Sequence, residues 1–177
     1  MPRTLTSNQA FVDEPGSERA IPARLAPRTS KRLFASEIDI RSISVTRILI
    51  VDDNPAVRRY LRAILEQQES WKVCGEARTG AEALQEVLGA PPDLVVLDYQ
   101  MPDLNGVDVA RQIAEMFPKL PILMVTLHLS TQLSDAAREA GVRGACAKQD
   151  IGSVVEAVDL LLHDKTYFPM NSAAPSA

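Results

Sequence analysis

Between Arg47 and Leu162 the chain repeats one pattern five times: a short apolar run, then a segment with apolar residues at helical spacing. The runs are "RILIV" (47–51), "WKVCGEA" (71–77), "PPDLVVLD" (91–98), "LPILMVT" (120–126) and "RGACAK" (143–148). A continuous apolar run suits a strand buried on both faces. Strict strand–helix alternation predicts an α/β fold, a parallel sheet with helices on both sides.

The intervening segments carry helix start and stop signals. Asn54-Pro55 offers an N-cap followed by proline at the first helical position. Val57, Leu61, Ile64, Leu65 and Gln68 then follow at helical spacing. Thr79-Gly80-Ala81-Glu82 reads as a capping box. The third helix is expected from Asn105 to Phe117, stopped by Pro118, and the fourth from Ser130 to Ala140, closed by Gly141. Asp150 is expected to cap the last helix, with Ile151, Val154, Val155, Val158, Leu161 and Leu162 on its inner face.

Residues 1–45 are different. They hold Pro2, Pro15, Pro22 and Pro27, no sustained apolar period, and an excess of two basic residues, while the rest of the chain has an excess of six acidic ones. This segment is expected to be a disordered extension. The overall charge of −4 is not that of a nucleic-acid binder. No apolar run is long enough for a membrane span, no secretory signal is visible, and the two cysteines form no C-x-x-C pair. A cytoplasmic setting is expected.

The chemistry lies where strands end. In an open parallel sheet, ligands bind outside the carboxyl ends of the strands. Asp52 and Asp53 end the first strand, Asp98 the third, Thr126 the fourth and Lys148 the fifth. Clustered carboxylates repel, and a divalent cation relieves them. Oxygen ligands without histidine or cysteine suit a hard ion, Mg²⁺ above all. A lysine and a hydroxyl suit a phosphate group instead, and a carboxylate can act as the nucleophile that accepts it.

"LIVDDNPAVRRYL", "PDLVVLDYQMPDLNGVDV", "ILMVTLH" and "GVRGACAKQD" together resemble the response-regulator receiver domain of two-component signalling, in a form similar to the NarL/FixJ subfamily. The resemblance implies a flavodoxin-like (βα)5 doubly wound sheet of order 2-1-3-4-5 over residues 46–168, leaving 169–177 as a flexible tail. It implies Asp98 as phosphoacceptor. Asp53, Asp98 and the Gln100 backbone carbonyl would ligate Mg²⁺, with Asp52 assisting through water. Thr126 and Lys148 would hold the phosphoryl group. The implied donor is a sensor histidine kinase or a phosphotransfer protein, and the output a contact with a downstream protein or a homodimer. The implied order also sets Cys74 and Cys146 at opposite sheet edges, too far apart for a disulfide, so two free, largely buried thiols are expected.

Two residues depart from the family pattern. Ala145 stands where an aromatic residue is common, and bulky Leu127 follows Thr126. A helix-turn-helix output domain, usual in the subfamily, does not fit after Leu162, so direct DNA binding is not expected. Asp103 and His128 read as solvated loop residues, and Tyr99 as packing. Two other functions compete. An aspartyl-phosphate hydrolase would need an acid at position 100, which is glutamine. A pseudo-receiver would bind partners without phosphorylation.

Overall fold

The computed structural model describes residues 44–150 and 152–169. The expected disorder before residue 44, the tail from 170 and the place of Ile151 lie outside that range. Five strands alternate with five helices: β1 (Thr46–Val51), α1 (Pro55–Leu65), β2 (Trp71–Ala77), α2 (Gly80–Gly89), β3 (Leu94–Asp98), α3 (Gly106–Met116), β4 (Ile122–Thr126), α4 (Thr131–Glu139), β5 (Gly144–Ala147) and α5 (Ser153–Leu162). All strand pairs are parallel, and the order is β2-β1-β3-β4-β5. This is the predicted doubly wound, flavodoxin-like arrangement.

Two apolar layers sandwich the sheet. Leu49, Val51, Val95, Leu97, Ile122 and Met124 pack with residues of α2, α3 and α4. Their strand neighbours Ile48, Ile50, Leu94, Val96, Leu123 and Val125 pack with residues of α1 and α5. The period of two along a strand produces this division. Because both faces are covered, β3 and β4 are buried along their whole length.

Strand β2 breaks the period. Ile48 pairs with Val73, but Leu49 pairs with Gly75, so Cys74 is an extra residue in a bulge. Val73 and Ala77 therefore serve opposite layers although they are four residues apart. The bulge leaves Cys74 exposed, which corrects the expectation that both thiols are buried; Cys146 is buried, and both are free.

The helix starts follow the capping chemistry. Asn54 accepts from the Ala56 N–H, Thr79 from Glu82, Asn105 from Asp108 and Ser130 from Leu133. The α5 cap differs from expectation. Lys148–Asp150 form a 3₁₀ turn, Gly152 occupies the N-cap, and no side chain caps the helix. Asp150 contributes its carbonyl, which accepts from Ser153 Oγ at 2.7 Å. The 3₁₀ turn after β5 leaves Asp150 two residues ahead of the N-cap position.

Beyond α5 the chain returns to the sheet. Ala145 donates to the Tyr167 carbonyl at 2.7 Å, and Tyr167 donates to the Arg143 carbonyl at 3.0 Å. Tyr167 thereby covers the open edge of β5, a common remedy for an unpaired strand. Tyr167 packs on the α1/α5 layer and Phe168 on the opposite one, with the Arg138 guanidinium 4.0 Å above the Phe168 ring.

Candidate functional site at the carboxyl ends of the strands

Strand register brings the polar residues to one end of the sheet. Asp98 pairs across to Val125, and Thr126 to Ala147, whose next residue is Lys148. The period of two puts Asp52 in phase with Ile50 and Asp98 in phase with Val96. Both acids thus emerge on the α1/α5 side, where Lys148 reaches them. Lys148 Nζ lies 2.7 Å from Asp52 Oδ2 and 2.9 Å from Asp98 Oδ2.

Asp52, Asp98 and Lys148 are shielded from solvent, and Asp53 is open to it. Asp52 is 1% exposed and Asp98 4%, whereas Asp53 is exposed. Ligand oxygens of Asp52, Asp53 and Asp98 all lie within 4.8 Å of one another. Burial pushes the Asp98 carboxyl above its ordinary value; Lys148 pulls it back, and Asp52 pushes it further up. Burial works against the Lys148 charge, but its hydrogen bonds to Asp52 and Asp98 outweigh this and hold it above the ordinary lysine value.

Three carboxylates against one ammonium leave two negative charges in a small volume. The donor set is oxygen only and close enough to share one ion. These properties fit Mg²⁺, which takes one or two carboxylates and keeps several waters. The Gln100 backbone N–H also favours the charged form of the Asp98 carboxyl.

Thr126 shares no hydrogen bond with this group among the described residues. It is out of phase with Val125, so its side chain belongs to the α3/α4 side of the sheet end. It is 1% exposed, and its Oγ1 accepts from the His128 N–H at 3.3 Å. Leu127 is 49% exposed, and its carbonyl accepts from Gln149 Nε2. His128 is exposed, and Tyr99 packs partly buried against the core, both as expected. A cleft of about 420 Å³ between α3 and α4 is lined by Tyr99, Asn105, His128, Ser130 and Leu133 among others.

Two residues have more defined parts than their sequence context suggests. Asp103 is exposed but not idle: its carboxylate accepts from the Gly80 and Ala81 N–H groups, both at 3.0 Å. Those bonds hold its carboxyl below the usual range and anchor the loop after Asp98 to the start of α2. Arg58 is buried beneath the acidic pair and bonds its backbone. Asp103 could have been suspected from its place in a loop near a helix start. Arg58 carries no such signal, since α1 has a second arginine next to it.

Residues 48–159 match the response regulator receiver domain family. The chain belongs to that family. It is 33% identical over 115 residues to the response regulator UvrY of Escherichia coli, covering 63% of this chain and 53% of that protein. It is 38% identical over 99 residues to a protein-glutamate methylesterase/protein-glutamine glutaminase of Pyrococcus horikoshii, covering 56% of this chain and 26% of that protein. Among solved structures, a LuxR-family two-component response regulator from Aurantimonas sp. SI85-9A1 superposes with a TM-score of 0.68 at 31% identity, covering 70% of this chain and 89% of that one. The chain spans 26% and 53% of the two curated relatives, so the shared part is the receiver and not the rest of those proteins. Among the described residues of this receiver, no helix is long and apolar enough to cross a membrane.

Proposed function

We propose that this receiver, read as residues 46–168, accepts a phosphoryl group on Asp98 in the cytoplasm and signals through a phosphorylation-dependent protein contact or a phosphorelay. One observation carries the reading: a single ammonium, Lys148, is shared by two buried acids at the strand ends, beside a third acid that is exposed. A carboxylate oxygen of Asp98 attacks phosphorus on the phosphohistidine of a sensor kinase or phosphotransfer protein. The new P–O bond forms as the P–N bond breaks, and the departing imidazole takes up a proton. Lys148 then shifts its charge from the carboxylate to a phosphoryl oxygen, and the Thr126 hydroxyl donates to another. Mg²⁺ held by Asp53, Asp98 and the Gln100 carbonyl, with Asp52 assisting, would neutralise charge during transfer.

Incubation with acetyl phosphate and Mg²⁺ followed by intact mass tests this. The expected result is one added phosphoryl group that is absent in Asp98→Ala. Ala145 favours a second reading: this fully buried small side chain stands where an aromatic is common in the family, so a module that binds partners without phosphorylation is the alternative. Absence of an adduct from both acetyl phosphate and a phosphorylated kinase would favour it. Turnover of many phosphates per chain would instead indicate a hydrolase.

A further inference from the structure

A buried arginine sits directly under the acidic pair. Arg58 is 8% exposed. Its Nη1 donates to the Asp52 carbonyl at 2.7 Å and approaches the Asp53 carbonyl at 3.3 Å. Its Nε donates to Glu76 Oε2 at 2.9 Å. Glu76 is fixed in turn by Arg62, whose Nη2 lies 2.7 Å from Oε1. One guanidinium therefore ties two successive carbonyls of the β1–α1 turn to the edge strand β2.

Packing alone does not require a charge here. A buried ion pair is often no more stabilising than an apolar pair of the same shape. What the charged group provides is direction. The Asp53 carboxylate has no hydrogen-bond partner among the described residues, so its position is set by its backbone. Two side chains hold this backbone: Asp52 Oδ1 accepts from the Asn54 N–H at 2.9 Å, and Arg58 bonds the carbonyls of Asp52 and Asp53. Glu76 cancels its charge close to the ion site, where a bare cation would oppose Mg²⁺. Burial raises the Glu76 carboxyl, but Arg62 and Arg58 outweigh it and keep Glu76 below the usual range, hence ionised.

We infer that Arg58 is a positioning residue for the metal site: through the carbonyls of Asp52 and Asp53 it orients the exposed Asp53 carboxylate toward the ion, with Glu76 as its anchor. This rests on the Mg²⁺-dependent reading above. Isothermal titration of the 177-residue chain with Mg²⁺ tests it without any phosphorylation step. In Arg58→Met, affinity is expected to fall about 10–100-fold, the usual cost of losing a group that orients a metal ligand. Arg58→Lys, which can still reach a carbonyl, is expected to recover part of the loss. Glu76→Gln is expected to weaken binding to an intermediate degree. Arg62→Met is the control, because Arg62 shares Glu76 but touches neither carbonyl; its affinity should stay within about twofold of wild type.

The inference is overturned if folded Arg58→Met binds within about twofold of wild type, or if Arg62→Met weakens binding as much as Arg58→Met does. If Arg58→Met does not fold, Arg58→Lys and Glu76→Gln decide: wild-type affinity in both overturns it. Failure of the wild-type chain to bind Mg²⁺ would instead sink the metal reading itself.

Discussion

Replacing Lys148 with methionine removes the one cation that two buried acids share. The aliphatic stem is kept, so packing changes little. Lys148, Asp52 and Asp98 have side chains 11%, 2% and 4% exposed, so solvent offers little screening. Removing one partner of a buried pair costs about 3–5 kcal/mol. A second route bounds the loss. Asp98 can take up a proton instead, and holding a carboxyl with an ordinary value of 3.8 neutral at pH 7 costs about 4.4 kcal/mol. The two figures agree, and the second adds a pH signature. A raised carboxyl binds its proton in the folded state but not in the unfolded chain. Between the ordinary and the raised value, stability therefore rises as pH falls. The stability of Lys148→Met should rise by up to about 1.4 kcal/mol per pH unit, hence by up to about 2 kcal/mol between pH 7 and 5.5, and its deficit should shrink by that rise less the wild-type gain. Wild type gains less over this interval, because Lys148 already pulls Asp98 down. Mg²⁺ supplies the missing charge and should stabilise the variant more than wild type. Urea unfolding at both pH values, with and without Mg²⁺, measures all three effects. A loss below about 1 kcal/mol at pH 7, or one unchanged by both pH and Mg²⁺, would refute the shared-cation reasoning.

Three further outcomes are expected. Gly106→Ala places a Cβ into the Asp98 carbonyl oxygen and 2.9 Å from Tyr99 Cα, so it should cost about 1–3 kcal/mol and lower phosphorylation of Asp98, measured by denaturant melts and intact mass. Under native conditions without reductant, iodoacetamide should label Cys74 and spare Cys146, whose thiol burial pushes up to about 11; peptide mapping with both labelled equally would contradict the bulge geometry. Phe168→Ala should lose about 1–2 kcal/mol through its ring contacts with the core and Arg138, and hydrogen exchange at the Ala145 amide should quicken as the Tyr167 strap loosens.

Much of the fold was legible because local rules and burial agreed. The runs at 48–51 and 122–125 are apolar on both faces, and only a parallel sheet covered on both sides buries them fully. Capping residues Asn54, Thr79, Asn105 and Ser130 fixed four helix starts within a residue. The misses came where tertiary contacts set the outcome. Cys74 was expected to be buried as a residue of a sheet strand, and a one-residue slip in pairing with β1 leaves no mark in the apolar pattern. Asp150 looked like a cap by its spacing, but the 3₁₀ turn that follows Lys148 displaces it.

The candidate site shows the same division. Asp52, Asp98 and Lys148 were legible as a group because each terminates a strand, and a parallel sheet gathers such ends. Thr126 ends a strand too, yet its phase sets it on the other side of the sheet plane, a distinction that strand-end position alone does not reveal. Arg58 was invisible for a stronger reason. On α1 it follows Val57 and precedes Arg59, and nothing in "NPAVRRYL" tells a buried guanidinium from a solvated one. Burial of Arg58 depends on Glu76, eighteen residues away on an edge strand, and on two carbonyls that any residues could supply. Side chains that perform chemistry must be of particular types and so are marked in the sequence. A side chain that orients backbone is marked only by its partners, and those are brought together by the fold.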